Sequence, residues 1–123
     1  MENGVKRFFY DDSNLKLRVM PHKKKDKIEV LKEVSARFEE NQFYSEREVN
    51  KVLETVYDDF PLLRRNLIDF NFLCRDRNGY AYWKNNYYGK YCIPTEEETY
   101  KFIINNFVEN TKIIFEYEIK INC

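Results

Sequence analysis

Histidine occurs once in this chain, at His22, and glycine, proline and cysteine occur three times each. So little glycine and proline leaves no room for long flexible linkers, and 123 residues suffice for one compact core but not two. A single domain over residues 1–123 is therefore expected. Cys74, Cys92 and Cys123 are an odd number, widely spaced and without a C-x-x-C pair. This argues against a disulfide framework and against a cysteine zinc site, and it fits reduced thiols in a cytoplasmic protein. No apolar run approaches the roughly 20 residues that cross a bilayer. Residues 1–4 lack the basic-then-apolar layout of a signal peptide. A cytoplasmic location with no membrane partner is the expectation.

Catalytic patterns are missing too. The sequence has no G-x-S-x-G, no H-E-x-x-H, no P-loop and no Rossmann glycine pattern. The lone His22 stands in a Pro-His-Lys-Lys-Lys segment, where a surface position is the ordinary reading. Adjacent acids such as Asp58-Asp59 and Glu96-Glu97-Glu98 fall where helix caps belong. A protein that is not an enzyme, with no cofactor and no metal, is expected.

Aromatic residues, by contrast, make up 17% of the chain, with ten Tyr and ten Phe, beside 43% hydrophobic and 34% charged residues overall. That balance suits a globular chain. The net charge is zero but unevenly spread: residues 1–92 carry 18 basic and 15 acidic residues, residues 93–123 carry 3 and 6. Small DNA-binding domains are usually basic overall, so neutrality weighs against nucleic acid as the sole explanation.

The order of elements is readable from periodicity. Residues 5–10 and the alternating Leu15, Leu17 and Val19 read as two short strands around the turn residues 11–14, an N-terminal β-hairpin ended by Pro21. Ile28, Leu31, Val34 or Ser35, and Phe38 recur at helical spacing and predict a first helix over residues 24–38. Ser45-x-x-Glu48 is a capping box opening a second helix with Val49, Val52, Leu53 and Val56 inward. Asp58 or Asp59 can cap a third, with Pro61 in its first turn and Phe60, Leu63, Leu67 and Phe70 on one side. Arg65 and Asp69 fall on the opposite side, and Arg64 flanks the core stripe, in reach of an acid such as Asp58. Residues 72–75 and 80–83 are strand-like around a turn at residues 76–79, with Gly79 able to take a positive φ. Thr95-x-x-Glu98 opens a C-terminal helix bearing Tyr100, Ile103, Ile104, Phe107 and Val108. Phe115, Tyr117, Ile119 and Ile121 alternate as a final strand, suited to pairing with the N-terminal strands or a second subunit. The fold class is thus α+β: a winged helix-turn-helix core of three helices plus a β-hairpin wing over residues 15–84. A C-terminal helix–strand extension occupies residues 85–123.

Several pieces resemble one known family. They are Leu17 with Pro21 and the lysines after it, Val30-Leu31, Phe38, and Tyr44-Ser45-Glu46-Arg47-Glu48-Val49-Asn50, which looks like "Y-x-E-x-E-V-N". Leu63-Arg64-Arg65-Asn66-Leu67 with Asp69 looks like "L-R-R-x-L-x-D", and Leu73, Arg75, Gly79 and Tyr82-Trp83 complete the set. The pattern is similar to a bacterial domain of unknown function found alone or C-terminal to ArsR-type helix-turn-helix domains in candidate transcriptional regulators. It covers residues 15–84 in order, and the tail from Asn85 lies outside it. The resemblance implies a role in transcriptional regulation.

Three clusters could carry a function. Arg64 and Arg65 on the third helix could reach phosphates or guanine edges of duplex DNA, or could serve as helix ion pairs. The wing offers Arg75, Arg77 and Lys84 for phosphates. Its aromatic residues Tyr80, Tyr87, Tyr88 and Tyr91 could instead make an interaction surface, while Tyr82 and Trp83 could close the core. Lys23, Lys24 and Lys25 stand at a helix N-terminus, where they oppose the macrodipole and where a phosphate backbone would suit them. Two readings follow. One is a DNA-binding transcriptional regulator, with a homodimer through the C-terminal helix and strand. The other is a non-catalytic protein-interaction or small-ligand sensing module that meets a regulatory partner.

Overall fold

A computed structural model of the chain describes residues 3–10, 16–85, 96–107 and 121–122. Along the chain run α1 (Asn3–Lys6), α2 (Lys24–Ser35), β1 (Phe43–Tyr44), α3 (Glu46–Glu54), α4 (Phe60–Asp69), β2 (Leu73–Asp76), β3 (Tyr82–Lys84), α5 (Glu96–Phe107) and β4 (Ile121–Asn122). The class is α+β, and the antiparallel sheet has the order β1-β3-β2-β4.

The helix ends are set by local chemistry. Ser45 accepts from the Glu48 N–H at 3.1 Å while Glu48 accepts from the Ser45 N–H at 2.9 Å, so the capping box holds the start of α3 as its spacing predicts. Of the two candidate aspartates it is Asp59 that caps α4, accepting from the Leu62 N–H at 3.2 Å, with Pro61 in the first turn. At its far end α4 closes in a Schellman motif. Asn71 takes φ +65°, its N–H donates to Ile68 and that of Phe72 donates to Leu67. This turn sends the chain directly into β2. Helix α2 ends at Ser35 rather than at residue 38, and Phe38 is buried in the turn that follows.

Period-2 alternation in the sheet then divides the core. Leu73, Tyr82 and Tyr44 point to the helices, joining Val30, Leu31, Val49, Leu53, Leu63 and Leu67 in the main cluster. Cys74, Trp83 and Phe43, the adjacent residue in each case, point the other way and pack with Ala81, Phe102 and Ile103. Phe43 lies edge-on to Trp83 at 5.7 Å and stacked on Phe102 at 5.2 Å. The sheet is therefore covered on both faces, by α2–α4 on one and α5 on the other. That is why consecutive residues of β2 and β3 are buried rather than every second one.

The hairpin register pairs Cys74 with Trp83 and Arg75 with Tyr82, which places the strands at residues 73–76 and 82–84, one to two residues later than predicted. Asp76 is completely buried at the turn; its carboxylate accepts from the Ala81 N–H at 2.7 Å and the Asn78 N–H at 3.2 Å. Gly79 has φ +77°, as the turn requires. Strand β1, between α2 and α3, was not foreseen; it pairs Phe43 with Trp83 and Tyr44 with Tyr82.

The N-terminal β-hairpin gives way to a different arrangement. Residues 3–6 form a helical turn, and among the described residues of this segment the pairing is a single bridge, Phe9 to Leu17. Val5, Phe9 and Leu17 are buried but Val19 is exposed, so alternation there stops after one residue, where the Leu17 N–H turns to donate to Val56. Leu15, Thr95, Val108, Phe115, Tyr117 and Ile119 lie outside the described residues. Ile121, from the final predicted strand, pairs with Asp76 of β2, not with the N-terminal segment.

Removing the Asp76 carboxylate strands two N–H groups in a buried turn. Asp76→Ala is expected to lower the unfolding free energy by about 2–3 kcal/mol, against about 1 kcal/mol for loss of the cap in Ser45→Ala. Urea denaturation of the two variants checks the order.

Candidate functional site

Arg64 and Arg65 leave α4 in different directions because they are about 100° apart around the helix. Arg64 is half-buried and turns toward α3. There its guanidinium donates to Asn50 Oδ1 and lies 3.9 Å from Glu46. The expected tie to Asp58 is replaced by this one, because Glu46 and Asn50, four residues apart on α3, both face α4; Asp58 lies instead 3.9 Å from Lys16. Arg65 is 80% exposed and pairs with Asp69 at 3.9 Å, one turn on, as the spacing predicts.

Tyr82 extends the network to the sheet. Its ring is buried beneath the helices and its hydroxyl donates to Glu46 at 2.9 Å. Burial and the neighbouring Glu46 carboxylate push the phenol up from 10 to about 12, against the opposing charges of Arg64 and Arg75. Tyr82, Glu46, Arg64, Arg65, Asp69 and Arg75 surround an open groove of about 510 Å³ between α4 and the hairpin. Three guanidinium groups and two carboxylates give it a mixed but net positive lining. Such a lining can hold an anion; among the described residues no group of three His, Cys, Asp or Glu is placed to hold a metal ion.

The other expected residues are distributed around this groove. Arg77 is exposed in the hairpin turn. Lys84, at the far end of β3, lines a separate hollow of about 390 Å³ with Lys32 and Phe72, so it does not join Arg75 and Arg77. Lys23, Lys24 and Lys25 are exposed at the start of α2, whose N-cap Lys23 makes no side-chain cap. Tyr80 is half-buried against the Trp83 cluster, which limits the aromatic surface it can offer. Tyr87, Tyr88 and Tyr91 lie outside the described residues. Trp83 is a core residue of the second cluster, with its Nε1 lacking a hydrogen-bond partner among the described residues.

Glu46 and Tyr82 in the groove, and Asn50, which holds Arg64, were not picked out as functional from the sequence. The i, i+4 spacing of Glu46 and Asn50 was the available signal. For Tyr82 there was none, since a strand residue with one polar atom reads as plain core.

A sequence profile described as an uncharacterized protein conserved in bacteria (DUF2087) matches residues 16–84. That stretch runs from just before Leu17 to the end of β3 and contains every residue of the groove. No curated protein and no solved structure matches the chain. Among the described residues no helix is long and apolar enough to cross a membrane.

The raised phenol has a consequence in alkali. Because the folded state holds the Tyr82 proton more tightly than the unfolded state, its contribution to stability is complete below pH 10. It is lost as pH rises from 10 to about 12. In Tyr82→Phe the stability decline across that window becomes shallower, as measured by urea denaturation at fixed pH values; an unchanged decline assigns it to other groups.

Proposed function

The chain belongs to the DUF2087 family of uncharacterized bacterial proteins, and we propose that it is a winged-helix transcriptional regulator that binds duplex DNA through α4 and the hairpin. The order α2-β1-α3-α4-β2-β3, with β1 joined to the hairpin, supports the winged-helix reading. The observation that carries the functional reading is the arginine-lined groove, because it opens between the helix and the hairpin that a duplex would meet together.

In this reading Arg65 leaves Asp69 for a phosphate or a guanine edge, and Arg64 keeps α4 oriented against α3. Arg75 and Arg77 face the phosphate backbone, and Lys23, Lys24 and Lys25 add a basic flank. Lys84 has a lesser part. No catalytic step is involved, and the protein acts in the cytoplasm. A homodimer through α5 and the C-terminal strand would raise the affinity that one neutral domain lacks.

One observation favours a second reading. Glu46 and Asp69 stand against two of the three groove arginines, so a regulatory protein or a small ligand with both charges would also be complementary.

Fluorescence anisotropy with a mixed-sequence duplex at low and physiological salt separates the two. The DNA reading expects binding that weakens as salt rises, and at least tenfold weaker binding for Arg65→Ala/Arg77→Ala. Absence of binding at low salt would favour the second reading.

A further inference from the structure

We propose that the groove between α4 and the hairpin contains a discrete phosphate-oxyanion site whose principal ligand is Arg75. The proposal rests on the DNA reading only for the source of the phosphate, a backbone phosphodiester; a free phosphorylated compound offers the same chemistry.

Arg75 differs from its neighbours. Arg64 is held by Glu46 and Asn50, and Arg65 by Asp69. The side chain of Arg75 is half-buried, yet among the described residues it makes no ion pair and no hydrogen bond. A guanidinium that has given up part of its hydration needs acceptors for its five N–H groups. The acids nearby are already engaged, Glu46 by the Tyr82 hydroxyl and Arg64, Asp69 by Arg65. Arg64 from α4 and Arg75 from β2 both line the groove and both lie close enough to the Tyr82 phenol to oppose its shift, so the two cations converge near one point.

Gly79 fixes where the fork sits. A Cβ at that position would lie 3.1 Å from Arg75 Nη1, and the residue's φ of +77° already disfavours a side chain. The turn thus has no side chain where the guanidinium lies across it. The fork can engage two oxygens of one anion in parallel. With Arg65 and Arg64 approaching from α4, the site favours an anion presenting oxygens in several directions, which a tetrahedral phosphate does and a planar carboxylate does not.

Inorganic phosphate titrated into the ¹⁵N-labelled full chain tests the site, with Arg75→Gln and the distant Lys101→Gln as variants of equal charge change. The expected result is a saturable shift of the Gly79 amide signal in the unchanged protein and in Lys101→Gln, absent from Arg75→Gln while its remaining spectrum stays folded. Arg75→Lys, which keeps the charge without the fork, is expected to bind phosphate at least fivefold more weakly, and it serves as the reporter should Arg75→Gln not fold. No saturable shift, or the same shift in the Arg75 variants, would overturn the proposal.

A parallel arm measures duplex affinity against salt. If the phosphodiester is the source, Arg75→Gln lowers the slope of log K against log salt by about one unit, and free phosphate competes with the duplex. A phosphate shift without duplex binding supports the site with a free phosphorylated compound as its occupant, and counts against the DNA reading. Duplex binding with an unaltered slope and no phosphate shift overturns the site and leaves the DNA reading standing.

Discussion

Tyr82 joins the two halves of the fold. Its ring is packed among the apolar side chains of α2–α4, its backbone pairs with Tyr44 on one side and Arg75 on the other, and its hydroxyl donates to Glu46 at the start of α3. A buried phenol must have a partner for its O–H, and Glu46 supplies one that is also within reach of Arg64 on α4. The orientation of three elements is thereby tied to one side chain. If the ring moved, Glu46 would lose a donor, Arg64 would lose part of its restraint, and the groove would change shape.

The residue that follows it, Trp83, has the opposite task. It turns away from the helices and, with Phe43 and Cys74, builds a second apolar layer against α5. For strands this short, packing on both faces adds apolar burial that the ladder hydrogen bonds alone do not supply. Coverage of both faces gives β2 and β3 the rigidity that a groove wall needs. Aromatic residues serve both layers: Phe38 lies edge-on to Tyr44 at 5.2 Å in one, and Phe43 contacts Trp83 and Phe102 in the other.

Much of this was legible beforehand, and for local reasons. The capping box at Ser45, the Asp59–Pro61 start of α4, the inward Leu63 and Leu67 and the Arg65–Asp69 pair all follow from chemistry within four residues. The misreadings share the opposite cause. Residues 5–10 have strand propensity, but the N–H groups of Phe8 and Phe9 turn back to Val5 and Lys6 in a helical turn, which leaves a bridge at Phe9 and no ladder before it. Strand β1 is two residues long and exists because β3 offers it an edge. Arg64 meets Asn50 and Glu46 rather than Asp58 because α3 and α4 pack side by side, a relation no single helix encodes. The groove combines residues from α3, α4, β2 and β3; its arginines stood out in the sequence, Glu46 had only its helical spacing from Asn50, and Tyr82 had no signal at all.

The buried Asp76 carboxylate has an implication for how the hairpin meets other molecules. By accepting from both Asn78 and Ala81 it holds the turn in one shape before any encounter. Arg77 and Tyr80 are therefore presented on a stiff tip rather than a floppy one. A molecule docking there would give up little of the chain's conformational entropy, so its residence would be governed by the fit of the surfaces and not by the cost of ordering a loop.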